Sequence, residues 1–190
     1  LGFSAYATHN VAGVKKKGYK LNNSTFRLAS ESELAIAWAI VQDAIEQRRR
    51  DGSQQWQNGY PNEQTIRNDI AAGNGYVLVE DEEIVAYAAV IFDVEPAYLE
   101  IEGAWLTSGS YAVVHRVARA SVSKGKGIAT RLFEHVETLS LEKGVNSIRI
   151  DTNFDNAPML HIVDKLNYVY CGEIYYAGAP RKAYEKVLVK

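Results

Sequence analysis

Residues 111–142 set a strand against a helix with a glycine-bearing turn between them. Tyr111-Ala112-Val113-Val114-His115-Arg116-Val117-Ala118-Arg119 reads as the strand. Ser123-Lys124-Gly125-Lys126-Gly127-Ile128-Ala129-Thr130-Arg131-Leu132 runs from the turn into the helix. Ile128, Leu132, Val136 and Leu139 recur at helical spacing, and Gly144 stops the run. Such a turn lets backbone N–H groups approach an anion, and the helix dipole adds about half a positive charge there. Lys124 and Lys126 add full charges. The segment fits a phosphate-bearing ligand; an ordinary strand-to-helix turn with solvated lysines is the alternative.

The spacing narrows the ligand. A nucleotide-hydrolase loop needs Lys followed by Ser or Thr to hold magnesium, and Lys126 is followed by Gly127. A dinucleotide fingerprint needs three glycines, and Thr130 stands where the third belongs.

Lys124-Gly125-Lys126-Gly127-Ile128-Ala129 resembles the pyrophosphate loop of the GNAT superfamily of N-acetyltransferases, with Lys in place of the usual Arg or Gln. A second match lies downstream. Ser147-Ile148-Arg149-Ile150-Asp151 reads as a buried strand, and Asn156 caps a helix from about Ala157 to Leu166. Lys165-Leu166-Asn167-Tyr168 then leads to the strand Val169–Ile174. This is similar to the family's closing strand, Asn-capped helix and Lys-Leu-Gly-Phe corner. Asn replaces Gly at the left-handed position, a mild change because Asn is the next-best residue there. The resemblance spans about Thr25 to Val189.

Periodicity supplies the remaining elements. Residues 1–23 are set apart by Gly, Ala, Asn, Thr and Lys15-Lys16-Lys17, and read as an arm that is either solvated or packed on the domain or a second subunit. Residues 24–190 form the domain. Thr25–Ala29 is the first strand, and Ser30 with Glu33 makes a capping box for a helix running to about Arg50. Arg48-Arg49-Arg50 suit that helix end, with a phosphate site as the alternative. Pro61-Asn62 starts a second helix, ended by Gly73-Asn74-Gly75. Tyr76–Glu80 and Ile84–Ile91 make a hairpin around Asp81-Glu82-Glu83. Tyr98–Leu106 either lines a pocket or adds an edge strand, and Ala183–Val189 is the last strand. The order β-α-α-β-β-β-α-β-α-β-β predicts an α/β fold with a mixed, mainly antiparallel sheet flanked by helices.

Composition excludes other classes. A chain of 190 residues with 47% hydrophobic and 23% charged residues suits one globular domain, and a net charge of -2 gives no global attraction to nucleic acid. Two separated basic clusters do not change that. No apolar run reaches the roughly 20 residues that span a membrane, and no signal-peptide pattern opens the chain. A single cysteine, Cys171, cannot form an internal disulfide. That is compatible with a cytoplasmic protein.

The resemblance implies acetyl transfer from acetyl-CoA to a primary amine of a small molecule or protein, with no metal. It places the coenzyme on the main chain of Val117, Ala118 and Arg119, on the loop Lys124, Gly125, Lys126, Gly127, Ile128, Ala129 and Thr130, and on Asn156. Asn156 also reads as a plain helix cap. In the family the joint between the first two helices shapes the acceptor pocket, so Trp56 and Tyr60 are candidate walls, or anchors of their own loop. The family's Tyr acid is replaced by Val163, which cannot donate a proton; Tyr168 takes a packing position. The base is left between His115, whose imidazole ordinarily titrates at about 6.5, Glu102, Glu100 and a water chain. Alternation places His115 with Tyr111, Val113 and Val117, so a core histidine is the other reading. A module that binds acyl-CoA without turnover, and a homodimer, both stay open.

Overall fold

The computed structural model describes residues 19–21, 24–123, 127–176 and 178–189. Among the described residues, nine strands form one sheet, flanked by four helices. In chain order these are β1 (Tyr19–Leu21), β2 (Ser24–Leu28), α1 (Leu34–Arg50), α2 (Glu63–Ala71), β3 (Gly75–Glu80), β4 (Glu83–Ile91), β5 (Glu102–Gly103), β6 (Ala112–Arg119), α3 (Ile128–Glu142), β7 (Ser147–Thr152), α4 (Ala157–Lys165), β8 (Val169–Tyr176) and β9 (Ala179–Val187). The sheet order is β1-β2-β3-β4-β6-β7-β9-β8-β5, antiparallel except for the β6–β7 pair.

One strand goes beyond the sequence expectation, and a second realises an alternative it left open. β1 lies inside the stretch read as an arm and pairs with β2, Tyr19 opposite Phe26. The segment Tyr98–Leu106 supplies the short edge strand β5 and also buries Tyr98. Elsewhere the local signals match. Ser30 and Glu33 form their capping box, and Arg27 adds an ion pair of 2.6 Å to Glu33. Asn62 caps α2, and Asn167 takes the left-handed conformation after α4, with φ of 59°.

The sheet carries a core on each face. Ala86, Ala88, Val90, Ala112 and Val114 pack with Ile128, Leu132, Val136 and Leu139 of α3. On the opposite face, Val77 and Tyr87 pack against Ala37 and Val41 of α1 and Ile66 of α2. Val113, Tyr98, Ile174 and Ala183 form a smaller cluster further along.

β6 departs from regularity at the centre of the sheet. Ala89 of β4 opposes His115, but Tyr87 opposes Ala118. Three steps on β6 therefore span two on β4, which is a β-bulge. Arg116 occupies it with φ of 55°, an uncommon value for a side chain other than glycine. The bulge corrects the simple alternation. Val117 packs toward α3, not on the face of His115, and Ala118 joins the α1 cluster.

β6 also parts from β7. The two pair only at Ala112–Ile148 and Val113–Arg149. Beyond Val113 the β7-facing edge of β6 has no strand partner, and the sheet opens there.

Candidate active site

The opening leads into a cleft of about 510 Å³. Val117, Ala118 and Arg119 line it from β6, Ala129 and Leu132 from α3, and Asn156, Pro158, Met159 and Ile162 from the start of α4 and its cap. Arg48, Arg50 and Trp56 close the side formed by α1 and the loop after it. Gly127 caps α3 in the left-handed region, with φ of 71°. Helical geometry leaves the first N–H groups of α3 without intrahelical acceptors. Ile128 is buried, while Thr130 is half-buried and its hydroxyl accepts from Lys165 Nζ at 3.2 Å. Lys124, Gly125 and Lys126 lie outside the described residues.

Asn156 holds the junction of β7, α1 and α4. Its Oδ1 accepts from Met159 N–H at 3.3 Å and from Arg48. Its Nδ2 donates to Gln55 Oε1 at 2.8 Å and to Thr152 Oγ1 at 2.9 Å. The cap reading is therefore realised. Arg48 is drawn into this network and is not a free cation at the helix end.

A smaller space of about 50 Å³ sits beside the bulge. It is lined by Trp56, Tyr60, His115, Arg116, Asp151 and Arg181, among others. Tyr60 is held there because its hydroxyl accepts from Arg116 Nη1 at 2.6 Å. Arg116 in turn binds both oxygens of Asp69 at 2.7 Å, and the Tyr87 hydroxyl donates to Asp69 at 2.9 Å. Burial beside Asp69 pushes the Tyr87 hydroxyl far above the usual phenol range. Trp56 has a positive φ of 66° and borders the small space, the large cleft and an outer groove with Trp38.

His115 lies between carboxylates. Its Nε2 is 3.0 Å from Glu95 Oε2, and its Nδ1 is 3.8 Å from Asp151 Oδ1. The Asp151 side chain is buried, accepts from the Tyr98 hydroxyl at 2.8 Å and pairs with Arg181 at 3.0 Å. The hydrogen bond from His115 holds the Glu95 carboxyl below the usual carboxylate range, against the opposing effect of burial. Burial beside Asp151 and Glu95 raises the Tyr176 hydroxyl.

The structure brings Trp56, Tyr60, His115, Val117, Ala118, Arg119, Ala129 and Asn156 to one opening. It does not bring Glu102 there. Glu102 is exposed on the edge strand β5, where its carboxylate accepts from Tyr175 at 3.0 Å, and Glu100 is exposed nearby. β5 is the outermost strand at its end of the sheet, pairs with β8 and is separated from β7 by β9 and β8, away from the β6–β7 opening. Val163 is core, as is Tyr168, which packs edge-on against Phe133. Sequence reasoning missed Glu95, Asp151 and Arg181, which are separated by dozens of residues and follow no spacing rule. Among the described residues, no three His, Cys, Asp or Glu side chains group to hold a metal. No described helix is long and apolar enough to cross a membrane.

Comparison with known proteins agrees with this architecture. The family model for the acetyltransferase (GNAT) family matches residues 38–168. A GNAT-family acetyltransferase from Streptococcus agalactiae 2603 is 34% identical, over 90% of this chain and 99% of that one, with a TM-score of 0.83. A GNAT-family acetyltransferase from Listeria monocytogenes 4b F2365 shares the fold at 16% identity, with 90% and 100% coverage and a TM-score of 0.71. A ribosomal-protein-alanine N-acetyltransferase from Brucella melitensis shares it at 18% identity, 86% and 99% coverage and a TM-score of 0.61. No curated protein matches the sequence. With the opened β6–β7 pair and the cleft at the start of α3 in place, the chain belongs to the GNAT family of acetyltransferases.

Proposed function

We propose that this acetyltransferase moves the acetyl group of acetyl-CoA to a primary amine of a small molecule or protein. The observation that carries the reading is the β6–β7 opening, with the bulge and His115 at its edge. Acetyl-CoA supplies an acyl group already activated as a thioester. The residues present fit it. The β7-facing edge of the main chain from Val117 to Arg119, which has no described strand partner, suits the amides of a pantetheine arm, and the first turn of α3, preceded in sequence by Lys124 and Lys126, suits a pyrophosphate. Arg48 and Arg50 line the same cleft.

Chemistry at this site asks little of side chains. Orientation of the amine lowers the barrier most, and Trp56 and Tyr60 are the proposed walls for it. Backbone N–H groups at the bulge are the candidate donors for charge developing on the carbonyl oxygen. The amine must shed a proton, and His115 is the titratable group at the opening suited to take it. Val163 cannot protonate the leaving sulfur, but a thiol titrates at about 8.5 and leaves unaided.

Calorimetry with coenzyme A tests the binding half; no binding at near-millimolar ligand overturns the reading. A panel of benzylamine, spermidine and a lysine-containing peptide with a free N terminus tests turnover by thiol release. Val163 favours a second reading, a module that holds acyl-CoA without transfer. Turnover of any amine eliminates it.

A further inference from the structure

The two carboxylates beside His115 are not equivalent. Glu95 accepts a hydrogen bond at Nε2, 3.0 Å away, whereas Asp151 stands 3.8 Å from Nδ1. Asp151 lines the small space beside the bulge together with His115; Glu95 does not. Glu95 lies behind the ring, just before the turn Pro96–Glu100, where its own N–H donates to the Tyr111 hydroxyl at 3.3 Å. An ionised carboxylate accepts and cannot donate. The nitrogen facing it must therefore carry the proton, which leaves the lone pair on Nδ1.

We infer that Glu95 is the positioning residue of this site: it fixes the His115 imidazole with its proton on Nε2 and its basic Nδ1 toward the space beside the bulge. The inference rests on the proposed role of His115 as the base. Glu95 then plays the part a buried aspartate plays behind a catalytic histidine, setting the tautomer and stabilising the imidazolium. In the transfer step the amine nitrogen bonds to the acyl carbon and the carbon–sulfur bond breaks, its electron pair leaving on sulfur. The amine's proton passes to Nδ1, so both ring nitrogens are protonated. The Nδ1 proton then goes to the thiolate or to water, and the original tautomer returns without a ring flip.

The charge around the ring comes from several elements. Glu95 precedes the turn, Tyr98 lies on it with its ring 6.4 Å away, and Asp151 comes from β7. Arg181 of β9 pairs with Asp151, and Tyr176 of β8 adjoins Glu95. Arg181 offsets much of the Asp151 charge, so Glu95 is the carboxylate that chiefly supports a cationic ring. The lowered Glu95 carboxyl agrees with this, because a protonated Glu95 could not serve as the acceptor.

The test compares wild type, Glu95→Gln and His115→Ala with acetyl-CoA and whichever amine of the panel above is turned over. For Glu95→Gln we expect a kcat at least about 10-fold lower, unchanged coenzyme A affinity by calorimetry, and an acid limb of the pH–rate profile moved to lower pH. The limb moves because removing a negative charge disfavours the imidazolium. In proton NMR of the free protein, a downfield Nε2–H resonance present in wild type should vanish in Glu95→Ala. An unchanged rate overturns the inference, as does a lower rate with an unmoved limb, which marks a purely structural role. Impaired His115→Ala beside fully active Glu95→Gln removes Glu95 alone. Fully active His115→Ala, or no turnover of any amine, removes the parent reading and this inference with it.

Discussion

Arg116 grips Asp69 through two bonds of 2.7 Å while its backbone sits at φ of 55° in the β6 bulge. The ion pair ties the bulge to α2. Its third contact, to the Tyr60 hydroxyl, carries that constraint to the side of the opening proposed for the acceptor.

Truncating Arg116 to Ala leaves a buried Asp69 carboxylate with only the Tyr87 hydroxyl as its described hydrogen-bond partner. Breaking one side of a buried pair costs about 3 kcal/mol or more. Urea unfolding of Arg116→Ala should show a loss of that size, and Asp69→Ala a comparable one, because it strands an equally buried guanidinium. Equal stability of Arg116→Ala and wild type refutes the clamp.

Gly127→Ala should lose both stability and ligand. The left-handed backbone at φ of 71° costs an L side chain about 1 kcal/mol. Relief of that strain turns the first turn of α3 and moves its N–H groups. Calorimetry with coenzyme A should show affinity at least about 10-fold weaker, and thermal unfolding a lower Tm. Wild-type affinity in a folded variant excludes the α3 N-terminus from the site.

Glu33 should shape acid stability. The Arg27 hydrogen bond, aided by Ser30, lowers its carboxyl from the ordinary 4.5 to about 2. A depressed carboxyl contributes fully above its unfolded value and loses the contribution as pH falls through its folded one. Glu33→Gln should be less stable than wild type by about 1–2 kcal/mol at neutral pH, after allowance for solvent screening. The difference should shrink between pH 5 and pH 2. Denaturant melts across that range give the check, and a constant difference rejects the assignment.

Asn156→Ala removes a helix cap and three further side-chain hydrogen bonds at once. The cap alone is worth about 1 kcal/mol, and Arg48, Gln55 and Thr152 lose their shared partner. A larger loss than a cap explains, together with weaker coenzyme A binding through displaced Arg48, is the expected outcome. Asn156→Asp should recover the cap but not the two donor contacts.

What could be read from the chain follows from how local each cause is. The α3 stripe, the Asn62 and Asn156 caps, the β3–β4 hairpin and Asn167 after α4 depend on residues within a few positions of one another. The order of these elements was legible for the same reason. The β6 bulge was not, because Arg116 carries no glycine-like mark; its conformation is held by Asp69 from α2. That single inserted residue also reversed the facing of Val117. Glu95 and Asp151 escaped because they meet His115 only through the sheet. Glu102 lies in a segment whose sequence permits either a pocket wall or an edge strand, and in the structure it stands on the sheet's outer edge.

Trp56 borders three spaces with one indole. A substitution made there to alter the proposed acceptor space therefore also alters the wall of the cleft proposed for the coenzyme. Natural or laboratory diversification of acceptor choice should run through Tyr60 and Arg181, which border only the small space. Trp56 should drift little, since a gain on one side of the ring is taxed on the other.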